Sequence, residues 1–296
     1  MSIFTGSGVA LVTPFKANGE VNYEKLEELI DFHCNNGTDC IVIVGTSGEA
    51  STLSHEEHIE CIRFAVEKTR HRIPVVAGTG SNCTETAVYL TGEAKKAGVD
   101  GVLVVSPYYN KATQKGLVAH FGTIAKSAPD VPVILYNIPG RTGVNILPET
   151  AARLVRENKN IVAMKDATGN IPQTMATMRA CDGNIDIYSG EDGLITPMMS
   201  VGGKGVISVL ANVLPRETHE ICSRFLEGDA KGSLELQMKY LTLVDLLFSE
   251  VNPIPAKAAL NMMGMNVGPM RLPLTEMEPE HAEALRKEMV KLGMIK

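Results

Sequence analysis

Lys165 stands where an apolar side chain is expected. The run Ile161–Met164 reads as a buried strand, and the lysine closes it just ahead of a Gly169-Asn170 turn. Burying an ammonium is costly, so such a lysine pairs, snorkels to solvent or gives up its proton. In the last state its amine is a nucleophile for carbonyl carbons. Polar groups suited to that chemistry follow other apolar runs. Thr13 follows the first, Thr46, Ser47 and Glu49 the second, and Ser106, Tyr108, Tyr109 and Asn110 the fourth. Tyr136, Asn137 and then Arg141 follow the fifth, and Ser189, Gly190 and Glu191 the seventh. A lysine amine adds to a ketone as a Schiff base, and the iminium turns the neighbouring carbon into an enamine nucleophile. A tyrosine linked to a threonine hydroxyl can shuttle protons. An arginine can grip a substrate carboxylate through paired hydrogen bonds. This cycle requires neither a metal nor an organic cofactor. Each residue also has a plainer explanation: helix caps for Thr46 and Ser47, a core aromatic for Tyr136, a surface loop for Arg141. The residues alone leave both readings open.

Other motifs fit their chemistries less well. His55 and His58 lie three apart, which is not the His-Glu-x-x-His zinc spacing. Gly45-Thr46-Ser47-Gly48 lacks the spacing of a serine-hydrolase elbow. Gly202-Gly203-Lys204-Gly205 precedes a strand and is no P-loop. The six cysteines form no CxxC pair and read as reduced, core-filling thiols.

The elements that must position these residues recur with a period of roughly thirty residues, the length of a βα unit. Apolar runs fall at Gly8–Thr13, Cys40–Gly45, Ile73–Gly78, Gly101–Ser106, Val131–Tyr136, Ile161–Lys165, Ile185–Ser189 and Gly205–Val209. They are continuous and rich in Val and Ile, as strands of a parallel sheet are. Helical stretches separate them, with starts such as Ser54-His55-Glu56-Glu57 and stops at Gly37 and Gly98. Eight such units predict an α/β fold, a (β/α)8 TIM barrel with reactive groups at the carboxyl ends of its strands. A doubly wound sheet is the alternative, and the lack of Gly-x-Gly-x-x-Gly after the first run counts against it. After Val209 the strand signal stops. Residues 1–226 are expected to form the barrel and 227–296 a C-terminal helical domain, with helices over Gly232–Glu250, Pro255–Met263 and Pro279–Leu292.

A chain of 296 residues with 44% hydrophobic and 21% charged residues is globular. Its formal net charge of −6, with no long basic run, speaks against nucleic-acid binding. No apolar run reaches a membrane span, and Met1–Ser7 does not read as a signal peptide, so a cytoplasmic location is expected.

Several long motifs carry a resemblance. GTSGEASTLSHEEH from Gly45, SPYYNKATQKGL from Ser106, YNIPGRTG from Tyr136, IVAMKDATGN from Ile161, GGKGVISVLANV from Gly202 and EVNPIPAKAAL from Glu250 occur in this order. Through them the chain resembles the dihydrodipicolinate synthase family, within the pyruvate-dependent lyases that include N-acetylneuraminate lyase. The resemblance implies a class I aldolase-type lyase that condenses pyruvate with L-aspartate 4-semialdehyde, toward diaminopimelate and lysine. It implies Lys165 as the Schiff-base residue, and Tyr136, Thr46 and Tyr109 as a proton relay, with Tyr109 reaching in from a partner subunit. Arg141 would bind the carboxylate of the aldehyde, and Ser47, Gly190 and Ile207 would line the pyruvate pocket. A homotetramer of tight dimers is implied. Arg141 and the Tyr108-Tyr109-Asn110 segment favour the synthase over a sugar-acid lyase, the alternative. A lysine-binding regulatory site would correspond to Ala50, Ser51, His55, His58, Asn82 and Tyr108. Thr86 stands where a glutamate is expected, with Glu85 one position before, so weak or absent inhibition by lysine is expected.

Overall fold

The Val- and Ile-rich runs become strands because both of their faces are covered. The computed structural model, which describes residues 2–296, places eight strands in it: β1 (Gly6–Ala10), β2 (Cys40–Ile43), β3 (Val75–Gly78), β4 (Gly101–Val105), β5 (Val133–Asn137), β6 (Ile161–Asp166), β7 (Asp186–Ser189) and β8 (Gly205–Ser208). Neighbours pair in parallel, and β8 pairs with β1 to close a barrel, which excludes the doubly wound sheet. Two strands, β3 and β5, start two residues later than their apolar runs do. Pro74 and Pro132 have no N–H to donate and sit just outside, but their carbonyls still accept from the N–H groups of Ile41 and Val102, each at 2.9 Å.

The helices begin and end where their capping residues say. In the helix His55–Thr69 the Ser54 hydroxyl accepts from the Glu57 N–H, and the Glu57 carboxylate accepts from the Ser54 N–H. Gly98 ends the helix Thr84–Ala97 with a left-handed backbone. The space between strands and helices holds the main apolar core, whereas a second cluster fills the barrel itself. At the amino end that interior is plugged. The Phe4 and Tyr188 rings stack at 4.3 Å, and the Tyr188 hydroxyl donates to the Phe4 carbonyl at 2.6 Å. At the carboxyl end small residues, Ala10, Gly78 and Gly190, leave the interior open. A tapering fill of this kind makes a packed base and a pocket above it.

After the last barrel helix, Pro215–Leu226, the chain forms helices Ala230–Leu247, Ile254–Met262 and Pro279–Lys291. Leu243, Val244, Leu247, Leu260, Leu285 and Met289 join the same apolar core as the barrel's outer face. A buried ion pair fixes this extension to the barrel. Lys257, fully buried, donates to the Glu49 carboxylate at 2.8 Å and to the Thr13 and Pro269 carbonyls at 3.1 and 2.6 Å. Of the cysteines, Cys40, Cys61, Cys181 and Cys222 are buried as expected. Cys34 is half-buried, and Cys83 is exposed ahead of the helix Thr84–Ala97 rather than filling core. Among the described residues no helix is long and apolar enough to cross a membrane.

Candidate active site

Side chains on β6 alternate across the barrel wall, so Lys165 shares the inner face with Ala163 while Asp166 faces outward. Register sets its neighbours: Lys165 pairs with Tyr136 on β5 and with Tyr188 on β7. Its Nζ lies 4.4 Å from the centroid of the Tyr136 ring. Only 5% of the residue is exposed. Burial, aided by the Arg141 charge, pulls the Lys165 pKa down to about 8, against an attraction from Asp192. Burial pushes the Tyr136 phenol up to about 12, with Arg141 and the Thr46 side chain acting in the opposite direction. The phenol therefore stays protonated at neutral pH and can donate.

The loop after β2 bends sharply to present Thr46 and Ser47. Val44 (φ 47°) and Glu49 (φ 52°) both hold left-handed backbones, which are uncommon for non-glycine residues and gather at functional sites. The bend needs a glycine on β3: a Cβ on Gly78 would stand 2.5 Å from the Val44 carbonyl oxygen. Glu49 is no free acid at the barrel mouth. Its carboxylate takes Lys257 and also the Arg271 N–H at 3.0 Å, anchoring the loop from behind. Thr13 likewise donates to the Gly48 carbonyl, at 2.7 Å.

A cavity of about 420 Å³ opens above the lysine. Thr46, Ser47, Tyr136, Arg141, Lys165 and Gly190 line it, and Ile207 sits just inside the barrel below. Ala50, Ser51, His55, His58, Thr86 and Tyr108 line its far part. His55 and His58 diverge there: the His58 Nε2 contacts the Gly78 carbonyl at 2.7 Å, and His55 lies beside Tyr89. Asn82 is not among the lining residues; its carbonyl accepts from the Asn110 Nδ2 at 3.0 Å. Tyr109 is apart from the cavity. It is 89% exposed, with φ 74°, and turns away from its own barrel. A second cleft, of about 460 Å³, lies at the amino ends of β6 and β7 between Arg156, Lys159, Asp182 and Asp186. None of the sequence candidates lies there.

Two residues at the site escaped the sequence reading. Asn252, from the extension, donates from Nδ2 to the Ser47 Oγ at 2.9 Å, and its carbonyl accepts from Arg141 at 3.3 Å. Asp192, just past β7, is buried and accepts from the N–H groups of Val209 and Leu210, each at 2.9 Å. The segment from Glu250 contains Asn252, so the motif was visible, but its distance in sequence hid the contact.

An amine of lowered pKa at the base of a pocket, with a protonated tyrosine against it and an arginine at the mouth, is the set of groups a Schiff-base lyase needs, and a (β/α)8 barrel carries it. Residues 3–292 match the model of the dihydrodipicolinate synthetase family, and the chain belongs to that family. A 4-hydroxy-tetrahydrodipicolinate synthase from Lachnoclostridium phytofermentans is 66% identical over 295 residues, covering all of both chains. Among solved structures, the lysine-bound synthase of Cyanidioschyzon merolae has a TM-score of 0.97 at 42% identity, covering all of both chains. The pyruvate complex of the chloride-inhibited synthase of Acinetobacter baumannii has a TM-score of 0.95 at 45% identity, covering 98% of this chain and 99% of that one.

Proposed function

We infer that Lys165 is the residue through which this chain carries out its reaction. The activity is that of a lyase, the condensation of pyruvate with L-aspartate 4-semialdehyde toward diaminopimelate and lysine. A sugar-acid lyase is not favoured. The observation that carries the assignment to Lys165 is its buried amine of lowered pKa. With a pKa of about 8, roughly a quarter of it is neutral at pH 7.5, against about one part in a thousand for an ordinary lysine.

In this reading the amine nitrogen bonds to the ketone carbon of pyruvate as the C=O opens to a hydroxyl. Protonation of that hydroxyl releases water and leaves the iminium. Loss of a methyl proton gives the enamine, whose carbon bonds to the aldehyde carbon while the aldehyde oxygen takes a proton. Tyr136 and Thr46 pass these protons, with Tyr109 of the partner subunit completing the relay. Arg141 holds the carboxylate of the aldehyde, and Ser47, Gly190 and Ile207 shape the pyruvate end. A homotetramer of tight dimers, a cytoplasmic location and a division into a barrel of 1–226 and a helical domain of 227–296 belong to the same proposal.

Trapping tests it. Borohydride with pyruvate should leave a pyruvyl-derived adduct on the peptide containing Lys165. Absence of that adduct sinks the Schiff-base assignment. Turnover with aspartate semialdehyde but not N-acetylneuraminate is the expected specificity, and the reverse would favour the sugar-acid lyase.

The far part of the cavity is proposed as the lysine-binding region, formed by Ala50, Ser51, His55, His58 and Tyr108, with Asn82 beside it. Thr86 brings no carboxylate to meet an effector's ammonium. Weak or absent inhibition is therefore expected in a lysine titration of the activity, and strong inhibition at low lysine would refute this.

A further inference from the structure

Buried carboxylates normally spend both oxygens. Asp192 spends one. Its Oδ2 takes the N–H groups of Val209 and Leu210, while its Oδ1 is buried with no partner. The residue is 2% exposed, so water does not readily compensate the free oxygen. The loop that carries Asp192 also packs on the lysine: a Cβ on Gly190 would stand 3.1 Å from the Lys165 Cε. Pairing of Lys165 with Tyr188 and of Asp166 with Ser189 holds this loop beside the lysine.

We propose that Asp192 is a positioning residue, the fixed counter-charge for the nitrogen of Lys165 both as an ammonium and as the iminium. This rests on the Schiff-base reading of Lys165. The groups acting around the lysine are few. Tyr136 covers one side from β5, and Tyr188 adjoins from β7 with its hydroxyl turned to Phe4. Arg141 repels the ammonium from the mouth, and Asp192 attracts it. Asp192 itself faces Ser208 on β8, the neighbouring Glu191, and Cys222 on the last barrel helix. Burial raises the Asp192 pKa, and the Ser208 side chain, the Leu210 and Val209 N–H groups and the Lys165 charge hold that rise back by favouring the ionised carboxylate. Asp192 is the acid among these that draws positive charge to the lysine nitrogen.

A counter-charge has two effects of opposite sign. It keeps the free amine protonated to higher pH, which slows the first attack, and it stabilises the positively charged iminium once formed. The Asp192→Asn enzyme keeps a carbonyl oxygen for the two N–H donors. Its test is the rate and extent of borohydride-trapped pyruvate adduct, measured against pH in the full-length protein. The acid limb of the attack rate should move to lower pH by about one unit. Above about pH 8, where the free amine is neutral, more pyruvate should be needed for half-maximal adduct, by about tenfold, and well below that pH the requirement should change little. Ser208→Ala, which removes a neighbour favouring the ionised carboxylate, should shift both in the same directions by less, and serves if the Asn variant does not fold. A folded Asp192→Asn enzyme whose acid limb and pyruvate requirement match the wild type overturns the proposal. A wild-type protein that forms no adduct overturns instead the assignment of Lys165 on which it rests.

Discussion

Lys165 and Lys257 are both closed off from water, and their surroundings give them different work. Lys257 is held by a carboxylate and two carbonyls, with its Nζ 4.4 Å from the Phe15 ring centroid. Lys165 has an aromatic face against it, with the Asp192 charge attracting its ammonium and the Arg141 charge repelling it. Its folded pKa of about 8 lies below the ordinary 10.5, so between these values the unfolded chain carries a proton that the folded one does not. Stability therefore rises with pH across that window, and below about pH 8 the full penalty of the buried ammonium applies. Replacing Lys165 with Met should stabilise the fold at pH 7 by at most on the order of 3 kcal/mol, with loss of activity. The gain should shrink as the pH approaches 10. Melting temperatures of the two proteins from pH 6 to pH 10 check this, and a pH-independent difference would contradict it. The lysine itself was legible because an ammonium breaks an apolar run. Asp192 was not, because a Glu-Asp pair after a strand looks like any solvated turn.

At the scale of elements, the barrel was legible because parallel strands covered on both faces are written as unbroken Val and Ile runs. The role of the extension was not. Glu49 reads as one more polar residue at a strand end, yet its partner Lys257 lies 208 positions away. Asn252 reaches Ser47 across 205 positions. Such contacts have no periodicity to betray them. The ion pair ties the bend that presents Thr46 and Ser47 to the helix Ile254–Met262. Lys257→Met alone leaves Glu49 charged and buried and should destabilise by about 3–5 kcal/mol. The double variant with Glu49→Gln should recover much of that stability, because no uncompensated charge remains. Chemical denaturation of the two proteins decides it. Equal losses would show that packing rather than charge governs this contact.

The whole molecule brings in the residue that its own barrel does not use. Tyr109 is held in a left-handed backbone and points into solvent, and Tyr108 and Tyr89 nearby are also exposed. If Tyr109 serves a neighbouring copy, two dead variants can repair each other. Tyr109→Phe has an intact lysine, and Lys165→Ala has an intact Tyr109. Mixed dimers then hold one complete site each, and a fully exchanged equimolar mixture should regain about one quarter of wild-type activity. No recovery, with mixed dimers verified by mass, would place Tyr109 outside the relay. Sequence alone could mark the tyrosine but not its direction, since exposure is a property of the folded chain.

Burial at the base of the pocket is proposed to make the Lys165 amine reactive, and its titration tests that directly. Lysine Cε labelled with carbon-13, with the Lys165 signal assigned through its absence from the Lys165→Met protein, should titrate with a midpoint near 8. A midpoint near the ordinary 10.5 would mean that the site keeps its lysine charged, and the nucleophile assigned to it would not exist at working pH.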